Sequence, residues 1–206
     1  MTGLPDYSSN INVEKKVTPY LKYMPTKETF IGNDTDNKKV SMNVDIETKI
    51  AFDFNNIKSG WQWFKGDATP PEKVMDAWVN GKCTPAKQPG AMTDSKGELK
   101  PFRRFVEIPC FNTALGTRVF NFDGVGTYKC AQQLVTAWQQ NRSNQSETVF
   151  LFKYKGTKLE VSQRDKTRNI TIPQFEFDSE ISRPEKFELI GKETNSSESQ
   201  TSDIPF

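Results

Sequence analysis

KVSMNVDIETKIAFDFNNI, residues 39–57, is the stretch that decides the fold class. Val40, Met42, Val44 and Ile46 alternate with polar neighbours, and Ile50, Phe52 and Phe54 resume the alternation. Successive side chains of a strand point to opposite faces, so this period of two predicts a half-buried antiparallel strand or hairpin. Upstream, PYLKYM (19–24) and ETFIG (28–32) read as short strands. Downstream, FRRFVEIPCF (102–111) and GTRVFNFDG (116–124) read as two strands joined by NTALG. ETVFLFKYKG and TKLEVSQ follow as a pair turning at Lys155-Gly156, and IPQFEFDSEI (172–181) adds an extended segment.

Two helices are expected between these strands. Thr69 can cap the first, with Pro70 at its first position, Glu72 at its third, Val74, Ala77 and Trp78 on one face and Gly81 at its end. Thr127 caps the second, whose apolar face is Cys130, Ala131, Leu134, Val135 and Trp138. Residues 82–100, rich in Gly, Pro, Lys and Ser, read as a long exposed loop. The order is strands, an insertion over 58–100, strands, a helix and a final hairpin. A helix between the third and fourth strands of a five-stranded antiparallel barrel is the OB-fold order. The expectation is therefore a mainly β, OB-fold-like domain with two short helices over 1–190, beginning with a flexible arm at 1–16. Residues 191–206 lack periodicity and read as a disordered acidic tail.

Composition narrows the chemistry. Only 34% of the 206 residues are hydrophobic, but 12% are aromatic, 15 of them Phe, so a few large rings can organise a core. Net charge is +2, unevenly placed: 191–206 carries one base and three acids, leaving a body of net +4. The chain has no histidine, which removes Ser–His–Asp and Cys–His mechanisms. Three widely spaced cysteines, Cys83, Cys110 and Cys130, offer no zinc pattern, so no metal or cofactor is expected. Their odd number and a start without a secretory signal point to a reducing cytoplasm, and no stretch is apolar enough to span a membrane.

The sequence ends Asp203-Ile204-Pro205-Phe206 after a Ser-rich polar stretch. This end resembles the C-terminal tip of bacterial single-stranded DNA-binding proteins, an acidic run closed by Ile-Pro-Phe. The resemblance covers the tip and the character of the tail; Ser202 stands where that family would place another Asp. It implies an OB-fold body that binds DNA, a tether, and a tip that docks on replication and repair proteins. The body's long loop is more like a bacteriophage or plasmid relative, which would act in a bacterial host's cytoplasm. Pro205 restricts the backbone, while Ile204 and Phe206 supply apolar anchors beside the Asp203 carboxylate. Assembly with further copies of the chain stays open.

Rings and cations interleave in several runs, as a single-strand binder needs for bases and phosphates. The residues expected to touch single-stranded DNA are Trp61, Trp63, Lys65, Arg103, Arg104, Arg118, Lys153, Tyr154 and Lys155. Trp61 and Trp63, two apart on a strand, could present neighbouring platforms, whereas Phe52 and Phe54 are assigned to the core. No residue is expected to be catalytic. The alternatives are a metal-dependent nuclease using Asp45 and Glu47 in the D-I-E-T run, which would need further acids such as Asp53, Asp123 or Asp165, and an adaptor that uses only the tip.

Overall fold

The computed structural model describes residues 19–33, 38–66, 70–143, 147–162 and 166–184. It is mainly β, with one α-helix among the described residues. β1 (Tyr20–Met24), β2 (Thr29–Asn33) and β3 (Lys39–Met42) form an antiparallel meander. β4 (Lys49–Phe52), a single turn of 3-10 helix at Phe54–Asn56 and β5 (Lys58–Trp63) then make one bent path along β11 (Arg103–Asn112). Between β5 and β11 lie β6 (Glu72–Met75), the β7 (Ala77–Val79)–β8 (Lys82–Thr84) hairpin and the β9 (Met92–Thr93)–β10 (Leu99–Lys100) hairpin. β12 (Gly116–Phe122) returns beside β11, helix α1 (Val125–Asn141) follows, and β13 (Thr148–Val161) pairs with β14 (Asn169–Ser182).

The main sheet has ten strands in the order β14-β13-β4-β11-β12-β1-β2-β3, with β5 also on β11 and β6 on β5. It is mixed, because β1 runs parallel to β12, and its hydrogen-bonded ladder does not close. It is nevertheless rolled. Residues 43–48 alone link β3, at the end of the order, to β4 near its middle, and six residues reach only about 20 Å. Phe30 of β2 and Tyr154 of β13 accordingly meet at 5.1 Å, and Phe120 of β12 and Phe175 of β14 at 6.2 Å. The rings expected in the core are there: Phe52 and Phe54 are buried, and Phe54 stacks on Trp138 of α1 at 5.2 Å.

Helix α1 buries Cys130, Ala131, Leu134 and Trp138, with Val135 half-buried beside them, as their spacing predicts. Its cap lies one turn earlier than expected. Gly124 is the N-cap, and the Thr127 hydroxyl accepts from the Gly124 N–H at 2.8 Å. Gly126 lets the helix sit against β14, since a Cβ there would come within 2.1 Å of the Thr171 carbonyl oxygen.

Three other expectations are corrected. The helix from residue 70 is not formed: those residues make β6 and β7, with Val74, Met75 and Ala77 exposed and Asp76 buried. Thr69, its expected cap, lies outside the described residues. The local helix signal is small, and pairing of β6 with β5 plus the burial of Asp76 outweighs it. Residues 39–57 are not one strand or hairpin, because a turn with Glu47 at φ 70° separates β3 from β4 and leaves Ile46 66% exposed. Lys155-Gly156 is no hairpin turn either. β13 runs through it as one strand with an irregularity between Tyr154 and Thr157.

Candidate nucleic-acid interface

Asp76, between β6 and β7, organises the region between β5 and β11. Its Oδ1 accepts from Arg104 Nη1 at 2.9 Å and from the Ala86 N–H at 2.8 Å. Its Oδ2 accepts from Arg104 Nη2 at 2.6 Å and from Ser59 Oγ at 2.5 Å. Ser59 Oγ accepts in turn from Trp78 Nε1 at 2.8 Å. Burial opposes the charged carboxylate, but the bonds from Arg104, Ser59 and Ala86 overcome it and hold the Asp76 pKa below the ordinary range. The pair is nearly closed to water, with the Asp76 side chain 0% and that of Arg104 20% exposed. One carboxylate thus ties β5, β7, residue 86 and β11 together. Local sequence held no sign of it, because the partners lie 10, 17 and 28 residues away.

The residues predicted to touch DNA separate into four groups. Trp63 and Tyr154 are 3% and 5% exposed; Trp63 faces Phe102, and Tyr154 packs against Phe30 and Phe175. Neither offers a free face to a base. Arg104 and Arg118 act as internal braces. Arg104 holds Asp76 and lies 5.0 Å from the Trp61 ring and 5.9 Å from that of Tyr128. Arg118 donates to the carbonyls of Leu115 and Asn33 at 2.7 and 2.8 Å, fastening β2 to the β11–β12 turn. Lys153 pairs with Asp178 at 2.7 Å, and Lys155 with Glu47 and, at 3.5 Å, Glu176. Lys153 and Lys49 together pull the Asp178 pKa down to about 2. Trp61, Lys65 and Arg103 make the last group: Lys65 and Arg103 are exposed and Trp61 is half-buried.

That last group sits in a basic segment. Residues 58–104 contain nine bases and five acids, a net of +4, which equals the net charge of the whole 1–190 body. Lys58, Lys82, Lys87 and Arg103 are exposed and form no ion pair among the described residues. Register places Arg103, Gln62 and Lys73 abreast on one face of β11, β5 and β6, and Lys58, Glu107, Asn121 and Lys22 abreast two rows along. Lys73 is bonded to Glu107 at 2.6 Å and lies over the Phe105 ring, while Lys22 is bonded to Asp123. Trp61 occupies the opposite face of β5, with its indole N–H donating to the Ala86 carbonyl at 2.9 Å. Beside it Phe64 is 47% exposed. Phe64 was not among the expected contacts, and exposure, not spacing, distinguishes it from Trp63.

The nuclease residues are not assembled. Asp45 and Glu47 are exposed on the β3–β4 connection, Asp53 is bonded to Arg183 at 2.8 Å and Asp123 to Lys22 at 2.6 Å. Among the described residues no group of three or more His, Cys, Asp or Glu is placed to hold a metal. Asp165, the arm at 1–16 and the tip Asp203–Phe206 lie outside the described residues. No helix of the described residues is long and apolar enough to cross a membrane. No protein-family model, no curated protein and no solved structure matches the chain.

Proposed function

We propose that the chain binds single-stranded DNA through the basic segment 58–104 and the adjoining face of β11, coats it without sequence preference in replication or recombination, and recruits replication and repair proteins through the tip Asp203-Ile204-Pro205-Phe206. The body is read as an OB-type barrel. The path β4–β5, then β11, β12, α1, β13 and β14, supplies five strands with the helix between the third and fourth. Their adjacency, β14-β13-β4-β11-β12, runs 5-4-1-2-3. β1–β3 extend this sheet beyond β12 instead of closing it.

In OB folds the face of strands 2 and 3 and the loops joining strands 1–2 and 4–5 meet the oligonucleotide. The observation that carries the reading is that the strand 1–2 connection and its flanks hold the body's entire net positive charge, together with Trp61 and Phe64. Rings that accept any base and unpaired cations that accept any phosphate bind a strand irrespective of sequence.

Titration with oligo-dT tests the proposal. Tryptophan fluorescence should quench on binding, and log affinity should fall with log salt by about 0.7 per phosphate neutralised. No quenching and no retention of oligo-dT at low salt would overturn the reading.

A further inference from the structure

A cavity of about 250 Å³ lies between the β7–β8 hairpin and helix α1, and no described residue fills it. Trp78 and Tyr128 contribute aromatic walls, Val135 an aliphatic one, and Arg104 and the Cys83 thiol polar groups. Pro85, Gln132 and Thr136, all exposed, mark its open side. The cavity adjoins the proposed DNA path through a shared residue. The Arg104 guanidinium is over the Trp61 ring at 5.0 Å and over the Tyr128 ring at 5.9 Å, and also lines the cavity. Residues 85 and 86 join the two places as well, since Pro85 lines the cavity and the Ala86 carbonyl accepts from Trp61.

We infer that this cavity receives one base of the bound strand, turned out of the stack beside Trp61. The inference rests on the single-stranded DNA reading above. Three observations select a base as the occupant. First, an apolar cavity of about 150 Å³ already binds benzene, so this one admits a single heterocycle and excludes a base pair. Second, Arg104 and Ser59 are committed to Asp76, so the interior offers chiefly flat apolar contact, with the Gln132 amide at the mouth for a polar ring edge. Third, the exposed Lys87, which forms no ion pair among the described residues, directly follows Ala86, where a phosphate flanking an inserted base needs a cation.

Cys83 is a built-in reporter, because it is half-buried in the cavity wall whereas Cys110 and Cys130 are each 1% exposed. The experiment measures alkylation of Cys83 by N-ethylmaleimide in the full chain, free and saturated with oligo-dT, with tryptophan fluorescence confirming occupancy. Alkylation should slow at least about 5-fold in the complex. Independently, Val135→Phe, which fills the cavity from a half-buried position, should weaken oligo-dT binding about 5- to 10-fold with the salt slope unchanged, since no phosphate contact is lost. Unprotected Cys83 in an occupied complex, or full affinity of Val135→Phe, overturns the inference and leaves single-stranded binding standing. Failure of the wild-type chain to bind oligo-dT removes both.

Discussion

The rolled body and the basic segment use the same residue types for opposite ends. In the body, rings at period two meet one another: Phe52 touches Phe54, Phe120, Phe152 and Phe175, all within 6.2 Å. Three cations expected at the DNA are spent there, Arg118 on backbone carbonyls and Lys153 and Lys155 on carboxylates. In residues 58–104 a single buried carboxylate fixes the chain path, while Phe64 and several Lys and Arg side chains are left facing water. Interleaved rings and cations are therefore ambiguous in sequence. What separates packing from display is whether each ring has neighbours and each cation a partner.

The largest expected effect is on the body. Phe52→Ala removes a ring with four aromatic neighbours and should cost about 3–5 kcal/mol of unfolding free energy, read from urea midpoints. Oligo-dT affinity of the folded fraction should be unchanged. Arg104→Ala should cost about 3 kcal/mol, because it strands the Asp76 carboxylate in the interior. The same site predicts a pH dependence. The Asp76 pKa is lower folded than unfolded, so its stabilisation is complete above the unfolded value of about 4 and disappears as pH falls through the lower folded value. Asp76→Asn should flatten that part of the acid limb of the stability curve. An undiminished limb would show that Asp76 is not the group responsible.

Next in size is Trp61→Ala, which should weaken oligo-dT binding by about 1–3 kcal/mol as measured by anisotropy of a labelled strand. Trp63→Phe, at a buried ring, should change affinity little. If the two tryptophans exchanged these outcomes, the division between display and packing would fail within a single strand. The smallest effect is expected of Lys153→Ala: a urea midpoint close to that of the wild type and no change in DNA binding, as for an exposed ion pair.

Much of the body was legible because its signals are local. Short extended runs marked β1, β2, β11, β12 and β14, and the spacing of Cys130, Leu134 and Trp138 marked α1. The basic segment was not legible for the same reason. Pro70 and Glu72 look like a helix start until Asp76 finds Arg104 and β6 finds β5, and both are long-range events. The continuity of β13 through Gly156 was hidden likewise, since Glu47 and Thr48 join the ladder at Tyr154 from more than 100 residues away. Of the proposed interface, the pattern named Trp61, Lys65 and Arg103, which the fold leaves exposed or half-buried. Trp63 and Tyr154 were included because alternation cannot tell an inward ring from an outward one.

The division is tested most directly by the salt dependence of oligo-dT binding in two triple variants. One replaces Lys58, Lys87 and Arg103 by Ala, and the other replaces Lys49, Lys153 and Lys155. The first should lower the slope of log affinity against log salt by about 2, at roughly 0.7 per lost phosphate contact, and the second should leave it at the wild-type value. Equal slopes in all three proteins, or a loss confined to the second variant, would contradict the assignment of DNA binding to residues 58–104.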